Sequence, residues 1–255
     1  MIRAKNIEIA RLRAKIERIA VGCVAEAKAP SSPLVLPSSK STFFPFERLP
    51  AGAVHELEGA GGDMEDGIAA SGVAAALLSH AAEGAIFWAV RRDMPFASRL
   101  AAFGLDMNRV IFCRCRNDAE TLVALEEALR TPGIAVAFGE VEQVTLTQSR
   151  RLQLICEAAR NMGLLLHRRF HGTRGRRKPQ GSAAVTRWRV HFAPTETLEP
   201  GLGPPRWRLD LLYRRGGMPA SFLVEWNDEA RHLRLVAELA DHQTEPQQSE
   251  LRRAG

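Results

Sequence analysis

Much of what would identify an enzyme is missing from this chain. No Gly-Lys-Ser or Gly-Lys-Thr occurs in its 255 residues. No G-x-S-x-G is present, so a hydrolase triad has no anchor, and no H-E-x-x-H offers a helical zinc site. Cysteine is scarce: Cys23, Cys113, Cys115 and Cys156 are the only four, and none forms a C-x-x-C pair. That excludes zinc-ribbon and thioredoxin-like spacing and leaves core packing or unpaired thiols. No uncharged apolar run reaches the roughly 18 residues of a membrane span, and the N-terminus has no apolar signal core. The expectation is a cytoplasmic protein without membrane association, and without a cofactor or a bound metal.

What remains is ordinary for a globular protein. The hydrophobic share is 45% and the charged share 25%, enough to bury a core. The formal net charge is +6 and the pI about 9.6. That favours an acidic partner: nucleic acid, an anionic surface or an acidic protein.

Four regions follow from patterning. Residues 1–28 hold an amphipathic helix, with Ile9, Leu12, Ile16, Ile19 and Cys23 on one stripe. Residues 29–53 contain Pro30, Pro33, Pro37, Pro45 and Pro50 with several serines and read as an extended linker. Its Phe43, Phe44 and Phe46 are too apolar for a free linker and should dock on something. Residues 54–238 form the main domain, and 239–255 a polar tail. Within the domain, strands at 54–57, 85–90, 110–115, 134–138 and 164–166 alternate with helices at 68–82, 97–103, 117–130 and 147–162, the last expected to end on Gly163 as its C-cap. This order implies an α/β fold with a largely parallel sheet flanked by helices. Three strands without helices follow, at 185–192, 207–213 and 222–226, an antiparallel extension. Trp188, Trp207 and Trp226 alternate inward and belong to the core rather than to a base-stacking platform. His55 reads as structural.

The turn after the first domain strand has the context of a phosphate loop without its chemistry. Backbone N–H groups at a helix N-terminus cradle phosphate, a lysine reaches the terminal phosphates and a hydroxyl holds magnesium. Here Gly59, Gly61, Gly62 and Gly67 frame the turn, but it carries Asp63, Glu65 and Asp66 and no lysine. Three carboxylates repel an anion. On the strand at 134–138, Gly139 stands where a metal-side aspartate is expected. Glu140 is adjacent, and a one-residue shift is expected to turn it to the other face.

The order of elements resembles the RecA core over about residues 45–226, including the turn at 58–67, Ile86–Val90 followed by Arg91-Arg92-Asp93, and Leu100–Asp106. The resemblance places that family's activating glutamate near Arg91 or Arg92, neither of which acts as a base. The chain more closely resembles the ImuA/SulA-like damage-inducible proteins, RecA-like proteins with a degenerate nucleotide site. The resemblance rests on Phe46–Leu57, on Arg150-Arg151-Leu152-Gln153-Leu154, on Ala184–Val190, on Pro205-Arg206-Trp207 and on Leu223-Val224-Glu225-Trp226. It implies a non-enzymatic role in SOS-induced translesion synthesis. The implied partners are an ImuB-type Y-family polymerase-like protein and a C-family error-prone DNA polymerase, with RecA as a further contact.

Two surfaces stand out. Arg168, Arg169, Arg174, Arg176, Arg177 and Lys178 put six cations into the eleven residues after His167, with no acid. The RecA resemblance implies a loop entering a DNA groove there, and an Arg-dense stretch with one aromatic suits single-stranded DNA; a protein-docking loop and a solvated charge run are the alternatives. The stripe Ile9, Leu12, Ile16 and Ile19, with Phe43, Phe44 and Phe46, is the candidate partner-binding surface, against self-docking. Two other readings of the whole stay open: a divergent RecA-type ATPase of DNA repair, and a SulA-like cell-division inhibitor.

Overall fold

The computed structural model describes residues 14, 34–35, 48–61, 67–91, 95–168, 181–195 and 203–239. The whole N-terminal stripe, Ile9, Leu12, Ile16, Ile19 and Cys23, lies outside them, as do Phe43, Phe44, Phe46 and the polar tail beyond Leu239; of residues 1–28 only Ala14 is described, and it is helical. Within the expected linker, β1 (Leu34–Val35) pairs antiparallel with β2 (Arg48–Leu49). Leu49 is fully buried in the core, so the described end of the linker at β2 is packed onto the domain.

The main sheet is built from β3 (Ala53–Gly59), β4 (Ala85–Val90), β5 (Val110–Arg114), β6 (Ile134–Val141), β7 (Met162–His167), β8 (Thr186–Ala193), β9 (Arg206–Arg214), β10 (Ala220–Asn227) and β11 (His232–Leu239). Its order is β11-β10-β9-β8-β3-β7-β6-β4-β5. From β5 to β8 every neighbouring pair is parallel; from β8 to β11 every pair is antiparallel. The helices are α1 (Ile68–Leu78), α2 (Ala97–Ala102), α3 (Asp118–Arg130) and α4 (Leu146–Ala159). This is the expected α/β architecture with its antiparallel C-terminal extension. No helix among the described residues is long and apolar enough to cross a membrane.

Each face of the sheet has its own core. On one, α1 packs its alanines and Leu77 and Leu78 against Leu57, Trp88, Phe138, Leu166 and Trp188. A helix of such small residues lies close to a sheet on several sides, hence its near-complete burial. The same core runs out under the antiparallel strands, where Phe103 wedges between Trp207 and Trp226 at ring-centroid distances of 5.8 and 5.4 Å. Trp188, Trp207 and Trp226 are all buried, as expected of core residues. On the other face α3 and α4 cover Phe87, Ala137, Val141 and Leu165.

Three local expectations change. Helix α4 starts earlier than its apolar pattern indicates, because Thr145 and Gln148 form a reciprocal capping box. It ends with Arg160 in the left-handed region, φ 56°. Gly163 is therefore no C-cap: it sits in β7, where a Cβ would stand 3.2 Å from Cys156 Sγ and 3.3 Å from Val54 Cγ2. Gln153 on α4 is buried and uses its amide at the start of β3, accepting from Val54 N at 2.9 Å and donating to Gly52 O at 3.3 Å. Finally, β11 is a strand that the polar alternation after Trp226 concealed. It carries its apolar residues on a half-buried edge broken by a bulge at Val236.

A buried hydrogen-bonded chain fixes the start of β3. Trp188 Nε1 donates to Thr186 Oγ1 at 3.0 Å, the Thr186 hydroxyl lies 2.8 Å from His55 Nδ1, and His55 Nε2 lies 3.0 Å from Pro50 O. Burial lowers the His55 pKa to about 4 against the opposing pull of Pro50 O, so the ring is neutral and structural.

Candidate functional site

In open α/β sheets ligands bind beyond the carboxyl ends of the strands, where neighbouring connections diverge. Here that edge gathers the ends of β4, β6, β7, β3 and β8, with the N-terminus of α1 above β3. Gly59 and Gly61 leave β3 at this point; Gly62 and Asp63 lie outside the described residues. Gly62 and Gly67 keep the G-x-x-x-x-G spacing of a phosphate loop, a register that no Gly-Lys pair marks. Ile68 then stands in the lysine position and Ala69 in the hydroxyl position. Ile68 is 51% exposed, an apolar side chain where a cation would reach for phosphate, and Ala69 is buried. The first hydroxyl along α1, that of Ser71, donates to Gly67 O at 2.9 Å.

The end of β6 overturns one expectation. Val136 and Phe138 belong to the core under α1, whereas Ala137 and Val141 belong to the core under α3. Gly139 shares the α3 face: a Cβ there would meet Leu125 Cδ1 at 2.6 Å. Glu140 therefore faces the α1 side, where a ligand would lie. The carboxylate is present on the right face, but it is engaged. One oxygen accepts from the Arg91 backbone N–H at 3.1 Å, the other from Arg168 Nη1 at 3.0 Å. Arg91, in turn, points its guanidinium at Asp118 on α3. Asp118 also accepts from Glu142 N and Gln143 N, both at 2.9 Å. A magnesium nucleotide, which a phosphate-loop fold implies, does not fit these residues. The loop supplies no cation or hydroxyl, and the buried acid already has a guanidinium against it.

Beside this lies the base of the basic stretch. Of its six cations only Arg168 is described, and its side chain is held against Glu140; Arg169, Arg174, Arg176, Arg177 and Lys178 lie outside. His167 and His171 are four residues apart, but His167 ends a strand, so the helical metal-site spacing does not apply. Glu56 on β3, 4% exposed, meets both ends of the stretch. Its Oε1 accepts from Ser182 Oγ at 2.6 Å, and its Oε2 lies 3.4 Å from His167 Nε2 and 3.2 Å from Arg187 Nε. Burial pushes the Glu56 carboxyl up, but His167, Ser182 and Arg187 outweigh it and hold the pKa at about 2. Ser182 is braced in turn by Ser149 of α4, whose hydroxyl lies 3.2 Å away and accepts from Ala183 N at 2.9 Å. Neither Glu56 nor Glu140 was singled out as a site from sequence. The signal for Glu140 was a carboxylate inside an otherwise apolar strand; Glu56, between His55 and Glu58 on β3, had none.

The open face of the antiparallel half is also charged, but its charges answer one another. Arg189 binds Glu58 at 2.6 Å, His191 lies 2.6 Å from Asp210, and Arg206 and Arg234 share Glu225 at 2.7 and 2.6 Å. Burial raises the Asp210 carboxyl, and His191, Ser221 and Arg208 bring it down to about 2. The unbalanced positive charge of the domain is thus carried by the stretch after Arg168, not by this face.

No family model matches the chain. Among curated proteins it is 43% identical over 211 residues to protein ImuA from two strains of Caulobacter vibrioides, covering 78% of this chain and 86% of that protein. The chain belongs to the ImuA family. A shorter likeness, 28% over 97 residues, links it to the cell division inhibitor SulA of Edwardsiella piscicida, over 38% of this chain and 58% of that one. Among solved structures the RadB recombinase superposes with a TM-score of 0.52 at 11% identity, over 73% of this chain and 92% of that one. This member of the ImuA family thus has a RecA-like fold.

Proposed function

We propose that this ImuA-family protein is a non-catalytic accessory factor of damage-induced, error-prone translesion synthesis in the cytoplasm, holding polymerase-like partners together. The observation that carries the non-catalytic reading is the carboxyl edge: Ile68 and Ala69 replace the phosphate-loop lysine and hydroxyl, and Arg168 occupies Glu140. Membership of the ImuA family supports the biological setting. The partners in this reading are an ImuB-type Y-family polymerase-like protein, a C-family error-prone polymerase and RecA. They meet the N-terminal stripe around Ile9 to Ile19 and the Phe43–Phe46 cluster, while the basic stretch contacts single-stranded DNA. The SulA-like reading draws on a match to only part of each chain, and a divergent ATPase would need a cation at Ile68.

Deleting the gene should bring damage-induced mutation close to the spontaneous level, and the full chain should restore it. A chain lacking residues 1–28 should fold but fail to restore it and fail to retain the polymerase-like partners in a pull-down. Unchanged induced mutation in the deletion strain would end this reading.

A further inference from the structure

The last strand on one side of the sheet, β5, brings together two cysteines that the carboxyl-edge site does not use. Cys113 lies on β5 and Cys115 just past its end, where Cys115 N still donates to Val90 O at 2.8 Å and continues the pairing with β4. Residues two apart on a strand point to the same face, and both side chains join Ile111 in the core under α3. On a regular strand such residues stand about 6.6 Å apart. The two sulfurs are nevertheless only 4.0 Å apart, so the thiols turn toward each other. A disulfide spans Cα atoms up to about 6.8 Å apart and needs its sulfurs at about 2.05 Å. The strand spacing already meets the first condition, and side-chain rotation with a small bend of an end strand meets the second. The two thiols differ in access: Cys113 is half-buried, and Cys115 is 2% exposed. Cys113 beside it and burial push the Cys115 thiol up, so Cys115 is the one that keeps its proton.

We propose that Cys113 and Cys115 are an oxidation site, closing to an intramolecular disulfide when the chain meets hydrogen peroxide, with Cys113 oxidised first. The Cys113 sulfur attacks one peroxide oxygen, and the O–O bond breaks. A sulfenic acid forms, and the departing hydroxide leaves as water with the Cys113 thiol proton. Cys115 Sγ then attacks Cys113 Sγ. The S–O bond breaks, and the hydroxyl leaves as water with the Cys115 proton. Two thiols and one peroxide become one disulfide and two waters, and a small-molecule dithiol reverses the change by exchange. In a reducing compartment such a bond is transient and reports oxidation. The site also has something to act on. Two residues beyond Cys115, Asn117 caps α3 by accepting from Glu120 N at 3.0 Å. Asp118 follows, holding Arg91 and the Glu142 and Gln143 amides. Drawing Cys115 toward Cys113 shifts this turn, so the oxidised chain holds those two amides less firmly.

The experiment uses the full chain, reduced and then exposed to equimolar hydrogen peroxide while folded. It is denatured in iodoacetamide and read by intact mass and tryptic mapping. All four cysteines of the untreated chain should be alkylated, and only Cys23 and Cys156 of the treated one. Without alkylation the treated chain should be about 2 Da lighter. Trypsin cuts after Arg114, so the bridge should appear as a link between the peptides 110–114 and 115–116. Cys115→Ser should stop at the sulfenic acid, trapped by dimedone on Cys113. Cys113→Ser should show no oxidation at Cys115. Amide exchange at Glu142 and Gln143 should quicken about threefold or more on oxidation and return on reduction. Four alkylated cysteines in treated wild type, a bridge that maps to Cys23 or Cys156, or a sulfenic acid on Cys115 overturns the site. A disulfide that leaves exchange at those two amides unchanged overturns its link to α3.

Discussion

Two parts of the same sheet edge depart from a magnesium-nucleotide site in different ways. At the β3–α1 turn the groups are gone: Ile68 and Ala69 stand where a lysine and a hydroxyl would be, and the only charges the turn's sequence carries are the carboxylates Asp63, Glu65 and Asp66. At the ends of β4, β6 and β7 the charges remain, but Arg91, Asp118, Glu140 and Arg168 have paired among themselves. The first kind of loss is a deletion. The second is a satisfaction, in which a protein cation takes the place an external one would hold. A deletion leaves the edge open to any neighbour. A satisfied cluster ties strand ends together and becomes part of the structure.

The comparison is broken most severely by unpairing the satisfied half. Glu140→Ala or Arg168→Ala alone leaves a largely buried charge without its partner and should cost about 3 kcal/mol or more in folding stability. The double variant should cost clearly less than the two combined. Urea denaturation of the four proteins reads this directly, and additive losses would mean that the two side chains do not act as a pair.

Protonation gives a smaller and graded effect. His55 has a folded pKa of about 4, below its ordinary 6.5. Between those values the unfolded chain takes up a proton that the folded chain refuses, so stability is complete at neutral pH and falls as pH drops from about 6.5 toward 4. Burial lowers His80 in the same direction. Going from pH 7 to pH 5 should cost about 2 kcal/mol through His55 alone. The contribution of Glu56, held at about 2, is lost only below its ordinary 4.5. Urea midpoints at pH 7, 5 and 3.5 should therefore fall throughout, through His55 alone at first and through Glu56 as well below about pH 4.5. A chain equally stable at pH 7 and pH 5 would contradict a neutral, buried His55.

The same distinction explains how much was legible in the sequence. Strand–helix alternation, the antiparallel extension and the missing lysine are local patterns, and the alternation placed β3 to β10 near their observed bounds. The face on which Glu140 lies was misjudged because strand parity was counted from a presumed aspartate position. It is set instead by Leu125 of α3, which leaves no room for a side chain at Gly139. Glu56 was quoted as part of a family phrase and not as a site, since its partners His167 and Ser182 are more than a hundred residues away in the chain. β11 escaped because its edge position and bulge dilute the apolar alternation that marks β8 to β10.

The central claim is that this edge no longer takes a magnesium nucleotide, and that returning the missing loop groups would not suffice. Thermal unfolding of the full chain, and of an Ile68→Lys, Ala69→Ser variant, with and without millimolar Mg-ATP tests it most directly. Ile68 is half exposed, so the lysine alone should change stability by no more than about 0.5 kcal/mol; the serine hydroxyl at buried Ala69 should add a cost of about 1 kcal/mol. The account predicts no magnesium-dependent rise in Tm for either protein, because Arg168 still holds Glu140. A clear magnesium-dependent stabilisation of the wild-type chain would contradict it.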